Sequence, residues 1–321
     1  MKIFIFILLT IKFIMADYQA GYAGATFRYA NNAYSKALGG ALIAKGSIGF
    51  MPFENPANLS QTNKYEIGSS YFDLSLDRSI QIFSLSKKLP RGAGLGISFY
   101  RAGINNIEGR NYINQVTEVM SLSDYYGMLS FASTIRKFSI GLNIKVYGTN
   151  YYMQLPHSSR YFSNAVGLDI GLLYKYNTNL YIGLATKNIE SIYRWNLSLK
   201  DIQTSNAIYN EKIPFKVSAG FWYKSSLKTN LYIQEDFIYL NDLGILGRFR
   251  FGLEYIIKSN YFLRIGLKQK KSYFLGSDGY NIFEPSFGFG LKRKRMVFDY
   301  SFDPGFEGEG LGHLFSLGFI L

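Results

Sequence analysis

From residue 64 onward, apolar and polar residues alternate with a period of two. In 138–147, Phe138, Ile140, Leu142, Ile144 and Val146 share one face, and Ser139, Gly141, Asn143 and Lys145 share the other. Successive side chains of an extended strand point to opposite sides, so this spacing predicts strands with one apolar surface. Val166, Leu168, Ile170 and Leu172 repeat it against Gly167, Asp169 and Gly171, and Phe249, Phe251, Leu253 and Tyr255 against Arg248, Arg250, Gly252 and Glu254. Leu263, Ile265 and Leu267 oppose Arg264, Gly266 and Lys268; Phe287, Phe289 and Leu291 oppose Gly288, Gly290 and Lys292. Phe315, Leu317, Phe319 and Leu321 close the chain in the same way, against Ser316 and Gly318. Turn signals divide the region into fourteen segments: 64–76, 78–89, 92–101, 124–135, 138–151, 162–176, 179–189, 213–224, 228–240, 246–257, 260–269, 282–292, 295–303 and 312–321. Segments 64–76, 78–89 and 228–240 alternate poorly, and Glu235 falls on the apolar face. Bulges or errors of register are expected there.

Alternation by itself fits a soluble sandwich as well as a membrane barrel, because the apolar face has to be covered in both. The connections separate the two. Those after even-numbered segments are short: 90–91, 136–137, 177–178, 225–227, 258–259 and 293–294. Most of the others are longer: 102–123, 152–161, 190–212, 241–245, 270–281 and 304–311. Tight turns on one rim and long loops on the other, with an even strand count, are the pattern of a bacterial outer-membrane barrel. A tilted crossing needs roughly 10 residues, which the segments supply. The fold class expected is therefore all-β, a 14-stranded antiparallel transmembrane β-barrel over 64–321.

Composition agrees. The 321 residues include 27 Tyr, 27 Phe and 32 Gly, and aromatics make up 17%. Membrane barrels concentrate aromatics at their girdles, and glycine suits crowded positions in the lumen. The chain has no cysteine, which removes disulfides, thiolate metal sites and thiol nucleophiles together. No run of 18 or so uninterrupted apolar residues follows the N-terminus, so no helical span is expected. The formal net charge of +13 would ordinarily suggest nucleic acid, but export and barrel patterning exclude that partner. The run Lys292-Arg293-Lys294-Arg295 sits at a short turn, where basic residues can meet anionic lipid head groups.

Two stretches precede the barrel. Residues 1–16 have the form of a secretory signal: Lys2, a short apolar run and Ala16 at the cleavage point, with Ala20 as a second candidate. That places the chain in the outer membrane of a Gram-negative-type envelope, with its lipid as one partner. Residues 17–63 do not alternate. The stretch 33–44 is rich in small residues, and Asn55-Pro56-Ala57 lies within a second compact stretch, 47–60. A segment too apolar to stay solvated is expected to pack inside the lumen as a plug.

The order Ala37-Leu38-Gly39-Gly40-Ala41, then Asn55-Pro56-Ala57-Asn58-Leu59, resembles the N-terminal signature of the PorV/PorQ outer-membrane proteins of the FadL-like group. The likeness continues through Gly167-Leu168-Asp169-Ile170-Gly171, Gly183-Leu184-Ala185-Thr186-Lys187-Asn188, Phe251-Gly252-Leu253-Glu254-Tyr255 and the closing 312–319. It covers nearly the whole chain after the signal. One departure is the terminal Leu321, where barrel proteins commonly end in an aromatic residue. The resemblance implies a plugged fourteen-stranded barrel, and as a first role a secretion accessory that handles or anchors secreted or surface proteins, as in type IX secretion. The alternative it implies is a FadL-like passive channel for hydrophobic solutes.

Candidate chemistry is sparse. A hydrolase would need a nucleophile and an oriented base, and neither His157 nor His313 lies near a serine motif. The stretch 308–312 lacks the Lys-Ser/Thr of a phosphate loop, and Asp303 with Glu307 and Glu309 lacks EF-hand spacing. No enzyme activity, metal or cofactor is expected. The informative residues are charges on the polar face: Lys145, Asp169, Arg248, Arg250, Glu254, Arg264, Lys268, Lys292 and Asp299. Their mixed signs predict pairing within the lumen or with the plug.

Overall fold

Fourteen antiparallel strands follow one another round a closed wall in the computed structural model, which describes residues 16–17, 22–153, 159–197, 207–225, 228–240, 244–273, 280–305 and 310–321. They are β1 (Tyr65–Leu74), β2 (Arg78–Leu89), β3 (Ala93–Arg110), β4 (Val116–Ile135), β5 (Phe138–Met153), β6 (Ser159–Lys175) and β7 (Leu180–Ile189). The wall continues with β8 (Phe215–Lys224), β9 (Thr229–Leu240), β10 (Gly244–Ile257), β11 (Tyr261–Tyr273), β12 (Tyr280–Arg293), β13 (Met296–Asp303) and β14 (Gly312–Ile320). Each pairs with its sequence neighbour, and β14 returns to β1 with Ile320 opposite Glu66 and His313 opposite Asp73. Closure pairs the strands on both sides through the belt, which satisfies their backbone groups there without water.

The period-two pattern becomes the two faces of this wall. Outward-facing apolar side chains form a belt that would be untenable in water: Ile97 is 59% exposed and Val166 63%, with Phe83, Leu129, Phe237, Ile265, Phe287 and Phe315 in the same state. Glu235 shares this outer face, between the intermediate Ile233 and the exposed Phe237.

Three expectations need correction. The long connection at 102–123 is mostly strand: β3 and β4 extend above the belt and leave only 111–115 as a turn. The connection at 190–212 carries a small hairpin, Ile192–Leu197 with Ala207–Lys212. The bulges predicted in 64–76, 78–89 and 228–240 are absent. Pairing is regular there, and the irregularities lie instead between β3 and β4 near Ile104 and between β6 and β7 near Leu168. The poor alternation comes from inward-facing apolar residues such as Phe72, Ile80 and Ile82, which meet other apolar groups inside the barrel.

Residues 22–63 pack against the inner face of the wall. A five-residue helix, α1 (Ala33–Ala37), is capped by Asn32, whose side chain accepts a hydrogen bond from Ser35 N at 2.8 Å. A 3-10 turn, Pro56–Gln61, has proline in its first turn and Asn55 as its cap. The segment approaches the wall where the wall has glycine. A β-carbon at Gly141 would overlap Pro56, at Gly252 it would press on Leu38, and at Gly288 it would overlap Ala37. The lumen glycines therefore mark where the segment's main chain and small side chains rest.

Candidate functional site: a two-sided cavity above the N-terminal segment

Between this segment and the long-loop rim lies a cavity of about 410 Å³. One side is largely apolar and aromatic, built from β2 to β5: Ile80, Ala102, Tyr126 and Tyr147 face it beside Arg78 and Lys145, and Phe27 of the segment projects toward them. Phe27 meets Tyr100 and Tyr126 edge-on, with ring centroids 5.5 and 5.2 Å apart, and Tyr100 stacks on Tyr126 at 5.0 Å. Edge-to-face and offset pairs of this kind are the favoured aromatic arrangements. The opposite side, from β8 to β12, is mainly cationic: Lys216, Arg248, Arg250, Lys268 and Lys270, joined by Lys36 of α1, with the carboxylate Glu284 among them.

Of the charges on the polar face, most are buried and paired. Lys145 Nζ lies 2.7 Å from Asp169 Oδ2. Arg264 bridges Glu254 and Asp299 at 2.7 Å each, and its guanidinium lies 4.2 Å from the Tyr34 ring centroid. Arg250 meets Asp236 at 2.7 Å, and Lys268 lies 3.9 Å from Glu284. Arg248 is buried and borders the cavity. Lys292 stands apart, half-buried near the short-turn rim and away from the cavity.

Several residues that build the site carry no clear mark in the sequence. Lys36 joins Glu284 at 2.7 Å and Asp303 at 2.6 Å, tying α1 to β12 and β13. Burial disfavours its charge, but these two carboxylates outweigh it and raise its pKa. Glu54 accepts hydrogen bonds from Asn31 at 3.0 Å and Ser35 at 3.2 Å, and meets Lys187 Nζ at 3.1 Å. Burial would push its carboxyl up, yet Lys187, Lys216 and Arg250 hold it at about 2. Lys187 lies in phase with inward-facing Gly183 and Ala185, so alternation could have found it. Asp236 was hidden because its neighbour Glu235 disturbed the reading of β9.

Asn188 sits in the β6–β7 irregularity with φ of 61°. Its backbone N–H donates to Asp169 at 3.0 Å, and its side chain accepts from Tyr147 Oη at 2.9 Å and donates to Pro214 O at 3.0 Å. One strained residue thus fastens the top of β7 to the cavity's aromatic side.

Asn55, Pro56 and Ala57 lie at the base of the segment, fully or almost fully buried. The Asn55 amide donates to Ile43 O at 2.9 Å and to the wall at Leu172 O at 3.0 Å, while its oxygen accepts from Ala57 N at 3.0 Å. His313 is exposed at the rim, 2.9 Å from Tyr300 Oη. His157 and the stretch 306–309, with Glu307 and Glu309, lie outside the described residues, as do residues 1–15 and Ala20 of the signal reading. Among the described residues no group of three His, Cys, Asp or Glu side chains converges on a metal-sized space.

No protein-family model matches the chain, and no curated protein sequence does. Solved structures do. The chain is similar to the CymD monoaromatic hydrocarbon channel at 14% identity and a TM-score of 0.62, over 90% of this chain and 97% of that one. It is similar to the P. putida toluene transporter TodX at 12% and 0.63, over 91% and 98%. A Pseudomonas aeruginosa FadL homologue matches at 12% and 0.59, over 90% and 97%. These likenesses establish the fold as that of FadL-type barrels. The resemblance to PorV/PorQ gains no support from them, nor does a secretion role.

Proposed function

We propose that this chain is an outer-membrane barrel that lets hydrophobic solutes pass passively, with residues 22–63 acting as its plug. The observation that carries the reading is the cavity itself. It lies within the barrel and is bordered on one side by Phe27, Ile80, Ala102, Tyr126 and Tyr147, a surface that would gain by covering an apolar solute. The channels and transporters of similar fold are named for monoaromatic hydrocarbons and toluene, which supports the same reading. The expectation placed first from sequence, a secretion or anchoring accessory, has no comparable observation behind it.

The work of the chain is then partition and restraint. A solute leaves the long-loop side for an apolar surface, and the segment below it, held by Glu54 and Lys36, blocks free flow to the short-turn rim. The test is toluene entry into liposomes holding the full-length protein. Entry faster than in protein-free liposomes is expected. Equal rates, together with capture of exported proteins by the purified barrel, would overturn the reading in favour of the secretion role.

A further inference from the structure

The cationic side of the cavity carries more than a hydrocarbon needs. Two lysines there share their nearest carboxylates with other cations. Lys216 lies 3.6 Å from Asp236, whose same oxygen is held at 2.7 Å by Arg250. Lys268 lies 3.9 Å from Glu284, which Lys36 holds at 2.7 Å and Lys270 at 3.2 Å. Each is a second or third claimant on one carboxylate. Cations withdrawn from water and crowded beside others of the same sign are costly unless anions join them. Lys216 on β8 and Lys268 on β11 both face the cavity, with Arg250 of β10 between them.

We infer that the cavity selects amphipathic anions carrying at least two negative charges on a compact head, of the phosphate-monoester class, over neutral hydrocarbons and monoanions. The head would sit among Lys216, Arg250 and Lys268, and the apolar body against Tyr126, Tyr147 and Ile80 on the facing side. The inference rests on the passive-conduit reading and narrows its substrate. The two lysines call for two negative charges. A neutral solute leaves both as they are, and a monoanion answers only one. The aromatic side explains why the anion should also be apolar, since an inorganic ion would leave that surface wet.

The test uses the full-length protein in detergent and in liposomes, with phenyl phosphate, benzoate, toluene and inorganic phosphate as probes near pH 7. Phenyl phosphate is expected to bind at least about tenfold more tightly than benzoate, and inorganic phosphate more weakly than phenyl phosphate. Lys216→Met with Lys268→Met is expected to erase the preference for phenyl phosphate over benzoate. Lys268→Arg should retain it, and heat-modifiable gel migration confirms that each variant is folded. Equal binding of phenyl phosphate and benzoate, with toluene still entering, would overturn the inference and leave the conduit intact. Inorganic phosphate binding as tightly as phenyl phosphate would overturn it too, since the apolar side would then contribute nothing. Failure of toluene to enter would instead remove the conduit reading.

Discussion

The Asn55 carboxamide occupies the space that a β-carbon on Gly171 would fill. The amide donates to Leu172 O one residue along β6 and, at 3.4 Å, to Leu184 O on the paired strand β7. One side chain thus ties the N-terminal segment to two wall strands at a point where the wall has no side chain of its own.

Replacing Asn55 with Ala removes these bonds and takes from the buried Ile43 O the donor that Asn55 supplies. A cost of about 1–3 kcal/mol is expected. Gly171→Val should produce the same loosening by steric displacement. Limited proteolysis of the N-terminal segment in folded, detergent-solubilised barrel is the measurement. Cleavage no faster than in the parent would show that Asn55 is not a fastening point.

Arg264 holds two buried carboxylates, Glu254 and Asp299, at 2.7 Å. Arg264→Met strands both, and a loss of roughly 3–5 kcal/mol follows from breaking a buried ion pair on one side only. Adding Glu254→Gln and Asp299→Asn should recover part of it. Denaturant midpoints of the single and triple variants decide this. A triple variant no more stable than the single would show that the loss lies in the packing against Tyr34 and not in the stranded charges.

Glu54 titrates at about 2 in the folded chain, against an ordinary value of 4.5. A depressed carboxyl contributes stability that is fully present above the unfolded value and drains away as pH falls from about 4.5 toward 2. Glu54→Gln should therefore be less stable than the parent at neutral pH, and the gap should close across that window. Thermal midpoints at pH 7, 4 and 2 measure it. A gap independent of pH would mean that the charge on Glu54 is not what matters.

Glu235 lies on the outer face among Ile233, Phe237 and Phe249 of the belt. Replacing it with Leu removes a carboxyl from a lipid-facing position, so the barrel should become more stable, by about 1 kcal/mol or somewhat more. Unfolding from liposomes gives the sign directly. A less stable variant would point to a structural bond made by the carboxyl.

Most of the wall was legible because a membrane barrel repeats one rule: apolar outward, small or charged inward. Phe287, Phe289 and Gly290 obey it and were placed correctly. The rule fails where the inside is not polar. Phe72, Ile80 and Ile82 face inward against the aromatic cluster, so β1 and β2 read as irregular strands when they are regular. The cavity was less legible. Lys36 meets Glu284, and Glu54 meets Lys187, only through closure of the wall round the segment, and no spacing in the sequence records that. Lys145, Asp169, Arg250 and Lys268 were found because each sits in a strand whose phase was clear.

The seam between β14 and β1 joins the last strand of the chain to the first. Residues 22–63 lie inside the ring that this seam shuts, against its inner face. A sheet that rolls up around material already in place traps it without a later insertion step. Packing of this kind makes the segment part of the surface on which the wall closes, and without residues 22–63 the positions of Gly141, Gly252 and Gly288 would face nothing.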